Sequence, residues 1–297
     1  IKNGDIGILS KAITLIESSK EKDKKKANNL IDLCLKENRR SKKICISGAP
    51  GVGKSTFIDS LGSHLVKNNK IAVLAIDPSS EKSKGSILAD KTRMSKISSH
   101  ENVFIRPSPN KGVLGGINKR TRESIILCET FGFNIIIIET VGVGQNEIVG
   151  HSISDCFILL TLPKSGDQIQ AIKKGILEFA DVIIIHKSDT IKKIEIQREK
   201  NYYSEMFKKD KIIEVFSSKN EKNIEKLWKK IENISHENNQ STKRLNWLNE
   251  AIKEELELEF FKNSKIKREI EDIKKSLLPS DLNIRKVAKK LVKKFLK

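Results

Sequence analysis

The chain contains few of the residues that mark several common protein classes. Aromatic residues make up 5% of its 297 residues, and cysteine occurs only four times. Because no two cysteines form a C-x-x-C pair, the pattern favours buried thiols in a reducing compartment over disulfides or a zinc site. The longest apolar runs, such as residues 135–138, are too short to span a bilayer. We therefore expect a cytoplasmic protein without a membrane segment.

Positive charge is what the sequence has in excess. It contains 57 Lys and Arg against 38 Asp and Glu, a formal net charge of +19. Most of the basic residues are lysines, and the excess lies toward the two ends of the chain. A nucleic-acid surface usually interleaves arginine with aromatic side chains. We interpret the excess as a solvated lysine-rich surface and expect no nucleic-acid partner.

Short β-branched runs alternate with helical segments through the middle of the chain. Nearly continuous apolar strands separated by helices are typical of a parallel sheet that is covered on both faces. The sequence therefore predicts an α/β fold with a mostly parallel sheet and helices on both faces. The predicted strands are residues 44–47, 71–76, 103–105, 134–138, 156–162, 182–185 and 212–216.

Helical patterns flank this region on both sides. Residues 5–40 carry apolar positions at helical spacing, with a polar break predicted at residues 20–26. The pattern is helical again from residue 223, and a last helix is predicted to start near Ser280, after Pro279. Leucine, isoleucine and phenylalanine form an apolar stripe at spacings of three and four: Leu245, Leu248, Ile252, Leu256 and Phe260. We predict a helical arm (1–42), a nucleotide-binding domain (43–235) and a second helical arm (236–297) with a dimerisation role.

One segment matches the phosphate-binding pattern G-x-x-x-x-G-K-[ST] at every fixed position, between a predicted strand and a predicted helix. Its residues are Gly48, Ala49, Pro50, Gly51, Val52, Gly53, Lys54 and Ser55, with Thr56 opening the helix. The glycines let backbone N–H groups face a phosphate, and Lys54 reaches the β- and γ-phosphates. The Ser55 hydroxyl is a ligand for Mg²⁺. The segment predicts a P-loop NTPase and does not distinguish one nucleotide from another.

Three acidic residues lie at strand ends or in the loops that follow them. Asp77 and Glu139 directly follow apolar strands, and Asp90 lies in the loop after Asp77. Ligands of open parallel sheets bind beyond the carboxyl ends of the strands, so these carboxylates can converge on a phosphate-bound Mg²⁺. Together with Lys54 they are our candidate catalytic residues. Which of the three carboxylates contacts the metal directly stays open. Gly142, in the stretch after Glu139, is a candidate donor to the γ-phosphate.

A candidate base-reading segment follows the strand at residues 182–185. His186, Lys187 and Asp189 resemble the guanine-reading pattern N-K-x-D, with His in place of Asn. A carboxylate at Asp189 accepts hydrogen bonds from guanine N1–H and the 2-amino group, which adenine does not offer. Further candidate contacts follow the last strand, at Ser217, Ser218 and Lys219.

Taken together, these motifs resemble the MeaB/ArgK family of GTPases over nearly the whole chain. The resemblance is carried by residues 12–17 (AITLIE), 76–80 (IDPSS), 85–94 (GSILADKTRM), 106–109 (RPSP) and 139–145 (ETVGVGQ), and by Gly166-Asp167 with Lys173-Lys174-Gly175. It implies a slow GTPase that uses Mg²⁺ and escorts an adenosylcobalamin-dependent acyl-CoA mutase of the methylmalonyl-CoA mutase type. It also implies a homodimer, and it makes Asp167 and Lys173 the residues that couple nucleotide state to the mutase.

Three alternatives remain at this point. A metal-insertion GTPase for nickel or zinc would need clustered Cys and His ligands, and this chain has four isolated Cys and five scattered His. A small-molecule P-loop kinase would fit if His186 abolished guanine reading. A non-enzymatic partner would bind nucleotide while its hydrolysis stayed incidental.

Overall fold

The computed structural model describes residues 5–18, 20–77, 93–109, 114–140, 146–163, 174–207, 210–234, 240–275 and 283–296. The chain divides into two compact units, Ile1–Asn239 and Gln240–Lys297. The boundaries predicted after residues 42 and 235 stay predictions.

The first unit is built on a seven-stranded parallel sheet in the order β3-β2-β4-β1-β5-β6-β7. This sheet confirms the predicted α/β class. The strands are β1 Lys42–Gly48, β2 Ile71–Asp77, β3 Val103–Pro109, β4 Ile135–Thr140, β5 Cys156–Thr161, β6 Val182–Ile185 and β7 Ile212–Val215. β1 lies between β4 and β5, and the chain leaves it toward one edge of the sheet before returning to the other. Its carboxyl end is therefore the switch point at which such folds bind ligands.

Helices connect and cover these strands. They are α1 Ile6–Glu17, α2 Glu21–Leu35, α3 Lys54–Leu65, α4 Leu114–Phe131, α5 Asn146–Ile153, α6 Lys174–Phe179, α7 Lys193–Met206 and α8 Ile224–Glu232, with a short 3-10 helix at Ser188–Thr190. α1 and α2 pack against each other and against α4.

The two faces of β1 contact different helices. Ile44 and Ile46 belong to the buried core cluster that includes Phe57 of α3. Cys45, between them in the sequence, faces Gly150 of α5 so closely that a Cβ at residue 150 would clash with its sulfur. Successive side chains of a strand point to opposite faces, so α3 and α5 cover opposite faces of the sheet. This arrangement explains the unbroken apolar runs from which the strands were predicted.

Two predicted details of the helices are wrong. The polar run at residues 20–26 is no break, because α2 begins at Glu21 and runs through it. Lysine is a good helix former, and the helix exposes Lys22, Lys25 and Lys26 while it buries Ala27 and Cys34. The last helix begins at Ile284 rather than near Ser280, and the side chain of Asn283 caps it by accepting from the Lys286 N–H.

The second unit contains the helices α9 Gln240–Lys262, α10 Ser264–Lys275 and α11 Ile284–Phe295. α10 packs against α9 and α11, and Phe260 contacts Phe295 with ring centres 5.3 Å apart. The other members of the apolar stripe on α9 stay about half exposed: Leu245 57%, Leu248 56%, Ile252 48% and Leu256 56%. Among the described helices, none combines the length and apolarity needed to cross a bilayer.

Candidate nucleotide-binding site

The phosphate-binding pattern forms a tight loop between β1 and α3. Gly48, Gly51 and Gly53 have φ angles of +148°, +80° and +96°, a region that favours glycine. A Cβ at Gly48 would lie 2.5 Å from the backbone oxygen of Leu160 on β5, so this position admits no side chain. Ala49 and Pro50 lie within the loop, and Thr56 lies in the first turn of α3. The observed strand, loop and helix match the predicted context of a P-loop.

The ammonium group of Lys54 folds back over this loop. Its Nζ donates to the carbonyl oxygen of Gly48 at 2.8 Å and to that of Ala49 at 3.4 Å. Burial lowers the pKa of Lys54, while the carboxylates of Glu139 and Glu147 act to raise it. A phosphate in the loop would favour the charged form of Lys54, because an opposite charge at short range offsets the loss of solvent.

Ser55 and Glu139 come together as the sequence predicts for a metal site. The Ser55 hydroxyl donates to Oε1 of Glu139 at 3.0 Å, and Glu139 is only 6% exposed near the end of β4. Hydroxyl and carboxylate oxygens are the donors that Mg²⁺ prefers, so this pair fits the ion. Asp77 ends β2, the strand next to β4, and its side chain lies outside the described residues, as do Asp90 and Gly142. Within the described ranges no cluster of three or more His, Cys, Asp or Glu could hold a metal.

Glu147 is a site residue that the sequence analysis did not single out. It lies in the first turn of α5 and is fully buried. It accepts a hydrogen bond from the Ser47 hydroxyl at 3.4 Å, and its charge acts to raise the pKa of Lys54. The only signal in the sequence was an acidic residue in the helix that follows the 139–145 stretch. The Lys54 ammonium therefore lies in the field of two carboxylates rather than one.

The predicted base-reading segment follows β6 directly. Lys187 adopts a left-handed backbone conformation, and its Nζ donates to the carbonyl oxygen of Gly51 at 2.8 Å. Asp189 is exposed, and its Oδ1 accepts a hydrogen bond from the Ser217 hydroxyl at 2.5 Å. That hydrogen bond lowers the pKa of Asp189. The carboxylate is therefore ionised near neutral pH and able to accept from a base.

The loop after β7 completes this side of the site. The Ser217 hydroxyl also accepts from the backbone N–H of Lys219 at 3.3 Å, and the side chain of Ser218 contacts His186. His186 itself is only 2% exposed and also contacts the carbonyl oxygen of Val52. The structure thus brings three separate predicted segments to one place. Asp167 and Lys173, predicted to couple to a partner, lie outside the described residues.

Comparison with known proteins identifies the family. Residues 9–277 match the profile of the family described as "Methylmalonyl Co-A mutase-associated GTPase MeaB". The chain belongs to this family. The MeaB/ArgK resemblance seen in the sequence motifs is therefore confirmed.

Individual relatives agree with this assignment. "Probable GTPase Rv1496" of Mycobacterium tuberculosis is 48% identical over 190 residues, which cover 64% of this chain and 56% of that protein. The chain thus spans a little over half the length of the curated relatives it matches first. "Methylmalonic aciduria type A homolog, mitochondrial" of Mus musculus is 35% identical over 98% of this chain and 77% of that protein. A crystal structure titled "LAO/AO transport system kinase" matches with a TM-score of 0.73 and 26% identity, over 100% of this chain and 95% of that one.

Proposed function

We propose that this MeaB-family chain binds and hydrolyses GTP and, through its nucleotide state, escorts an adenosylcobalamin-dependent acyl-CoA mutase of the methylmalonyl-CoA mutase type. In this role it gates the loading of the mutase cofactor and protects the mutase from inactivation. One observation carries the GTP assignment: the ionised Asp189 carboxylate accepts from Ser217, in a segment whose Lys187 donates to the P-loop carbonyl of Gly51. The mutase assignment is supported by the description of the family and by the name of the mouse relative.

The phosphate end of the site binds by charge and by backbone donors. When phosphates enter the loop, Lys54 exchanges its carbonyl partners at Gly48 and Ala49 for phosphate oxygens. The N-terminus of α3 adds donors and a favourable dipole. Ser55 and Glu139, with Asp77 and Asp90, are the residues that would hold Mg²⁺, which neutralises charge on the β- and γ-phosphates when bound. These residues orient and stabilise the phosphoryl group.

The base end of the site provides selectivity. Asp189 accepts two hydrogen bonds from guanine, and an adenine in the same place would leave this carboxylate without those donors. The cost of such a mismatch is about 1–3 kcal/mol. The Lys187 ammonium donates to the Gly51 carbonyl of the P-loop, and its alkyl chain would pack along the plane of a bound base.

Hydrolysis is expected to be slow without a partner. Phosphoryl transfer depends on positioning and on charge stabilisation more than on proton abstraction. The mutase would supply the missing order, with Asp167 and Lys173 coupling the two proteins. An ordering change in these segments upon γ-phosphate loss would be the physical link.

We also propose that the chain forms a homodimer through α9. Four large apolar side chains on this helix, Leu245, Leu248, Ile252 and Leu256, are about half exposed at spacings of three and four residues. A contiguous exposed apolar stripe marks a surface that a protein partner covers. A second copy of the same stripe would cover it by two-fold packing, which is the commonest symmetry of soluble oligomers.

The experiment that tests the function measures GTP and ATP hydrolysis by the purified chain, with and without methylmalonyl-CoA mutase. We expect turnover that prefers GTP and rises when the mutase is added. A GTP hydrolysis rate that does not change when the mutase is added would overturn the partner assignment. Equal turnover of ATP would overturn the base assignment and would favour a small-molecule kinase.

A further inference from the structure

His186 has both ring nitrogens occupied by protein atoms. Nδ1 lies 2.7 Å from the carbonyl oxygen of Val52 in the P-loop. Nε2 lies 2.8 Å from the hydroxyl oxygen of Ser218 in the loop after β7. The side chain is only 2% exposed. Two hydrogen bonds therefore link this residue to two other segments of the site.

The partners determine which nitrogen carries the proton. A carbonyl oxygen only accepts, so Nδ1 must donate to Val52. In a neutral imidazole the other nitrogen is then an acceptor, and the Ser218 hydroxyl donates to Nε2. Of the two neutral tautomers, the contacts therefore select the one protonated at Nδ1 and use both of its ring nitrogens.

Close packing also surrounds the His186 ring. A Cβ at Gly53 would lie 2.7 Å from Cε1 of His186 and 2.8 Å from its Nδ1, so the imidazole fills the space above this glycine. Phe216 stacks against the ring at 6.2 Å and 14°, and Phe57 meets it edge-on at 6.1 Å. The ring is thus enclosed by the P-loop, α3 and the end of β7.

We propose that His186 is a positioning residue that holds the P-loop and the 217–219 loop together and makes no contact with the base. This inference rests on the proposed GTP site and changes the role expected for His186 from the N-K-x-D pattern. Both polar atoms of the ring are used within the protein, while Asp189 remains to read guanine. An Asn at this position has one donor and one acceptor group as well, so His and Asn can perform the same task.

The two hydrogen bonds of the neutral His186 ring, to Val52 and to Ser218, form a clasp between the two loops. This clasp should depend on pH, because the buried ring must stay neutral. The charged groups that act on the ring are Lys187 and Asp189 of its own segment, while the P-loop contributes the Val52 carbonyl and α3 contributes Phe57. Burial lowers the pKa of His186; Lys187 lowers it further, while the Val52 hydrogen bond and Asp189 oppose the shift. The His186 ring therefore binds a proton more readily when these hydrogen bonds are broken than when they are formed. Nucleotide affinity should fall as the pH drops below the ordinary histidine value of about 6.5 and stay constant above it.

The test compares wild type with His186→Ala, Ser218→Ala, the double variant and His186→Asn. Titration calorimetry gives affinities for GDP, for 7-deaza-GDP, which lacks the N7 acceptor, and for ADP, which has an amino donor in place of the O6 acceptor. We expect each alanine variant to weaken all three nucleotides by the same factor, about 5–10-fold. The double variant should be no weaker than His186→Ala, because the Ser218 contact is already lost when the imidazole is removed. His186→Asn should restore affinity and remove the difference between pH about 7.5 and about 5.5.

A control variant and the contrary outcomes distinguish a failure of the His186 proposal from a failure of the proposed GTP site. His64→Asn, near the far end of α3, should leave both affinity and its pH dependence unchanged. If His186→Ala weakens GDP but spares 7-deaza-GDP or ADP, His186 contacts the base and the clasp is wrong. If the pH dependence persists in His186→Asn, the neutral imidazole is not its source. Wild-type protein that fails to bind GDP would overturn the proposed GTP site instead.

Discussion

The hydroxyl of Ser55 donates a 3.0 Å hydrogen bond to Oε1 of Glu139, joining the first turn of α3 to the end of β4. The same carboxylate acts to raise the pKa of Lys54. Glu139 therefore orients the hydroxyl that would bind Mg²⁺ and also favours the charged lysine that would bind the phosphates. A glutamine at position 139 removes the charge and keeps the shape of the side chain, so it tests these two roles without changing the packing.

Glu139→Gln should lower the rate of GTP hydrolysis by about 10–100-fold, the usual effect of losing a residue that orients a metal ligand. The Mg²⁺ concentration that gives half-maximal turnover should rise, and GDP binding measured without Mg²⁺ should change much less. Steady-state hydrolysis over a Mg²⁺ titration checks this. Glu225→Gln is the matched control, because Glu225 is exposed and pairs with Lys229 on the surface of α8. A hydrolysis rate and Mg²⁺ dependence equal to those of the control would contradict the role of Glu139.

Lys54→Ala should abolish binding of GTP and GDP, because the loop loses the ammonium that reaches the phosphates. Protection of the mutase should disappear in the same variant. Calorimetry and an assay of mutase inactivation check the two effects together. Lys67→Ala removes an exposed lysine just after α3 and should change neither. If Lys54→Ala loses nucleotide binding but still protects the mutase, the chain acts as a structural partner whose nucleotide is incidental.

Asp189→Asn should weaken GDP binding by about 10–100-fold, because the carboxylate no longer accepts from guanine N1–H and the 2-amino group. Binding of xanthosine diphosphate should strengthen, since the new amide can donate to its 2-oxo group. Competition binding with both nucleotides measures the change in preference. The exposed Asp32 of α2 offers the control substitution Asp32→Asn. An unchanged ratio of the two affinities would remove Asp189 from base recognition.

Local sequence features predicted much of this site, and the limits of the prediction have a physical reason. The P-loop was predictable because its glycines, Lys54 and Ser55 lie in one short segment. The contacts of His186 were not, since Val52 and Ser218 are 134 and 32 residues away in the chain. A pattern of neighbouring residues carries no information about which distant side chains complete a hydrogen bond.

The same limit applies to charge and to helix boundaries. The burial of Glu147 depends on how α5 packs against β1 and β4, which the sequence alone does not give. The polar run at the start of α2 predicts a break because it lacks apolar residues. A helix needs such residues only on its packed face, so one exposed lysine-rich turn is compatible with a helix.

Leu248→Glu combined with Leu256→Glu should convert a dimer into a monomer, because two buried charges would replace apolar contacts at the α9 stripe. Sedimentation analysis over a range of protein concentrations measures the oligomeric state. Ile194→Glu is the control, since Ile194 is 68% exposed on α7, a helix of the first unit that is not part of this stripe. Wild-type protein that sediments as a monomer at every concentration would contradict the proposed dimer.

Glu17 of α1 and Arg106 of β3 connect the first helix to the edge of the sheet. Arg106 Nη2 donates to Oε2 of Glu17 at 2.7 Å and to the Thr14 hydroxyl at 3.2 Å. The two side chains are 9% and 21% exposed, so solvent screens their interaction little. Glu17→Gln should therefore lower the free energy of unfolding by about 1–3 kcal/mol, as expected for a hydrogen bond between charged groups.

A double-mutant cycle isolates this interaction from the rest of the packing. Glu17→Gln, Arg106→Gln and the double variant are compared by urea unfolding, and the coupling energy is the deviation from additivity. The pair Glu225 and Lys229 provides the matched cycle, because its side chains are 67% and 69% exposed. We expect clear coupling for the first pair and none that is measurable for the second, since exposed ion pairs are screened by solvent. Equal coupling in the two cycles would mean that Glu17 and Arg106 do not hold α1 on the sheet.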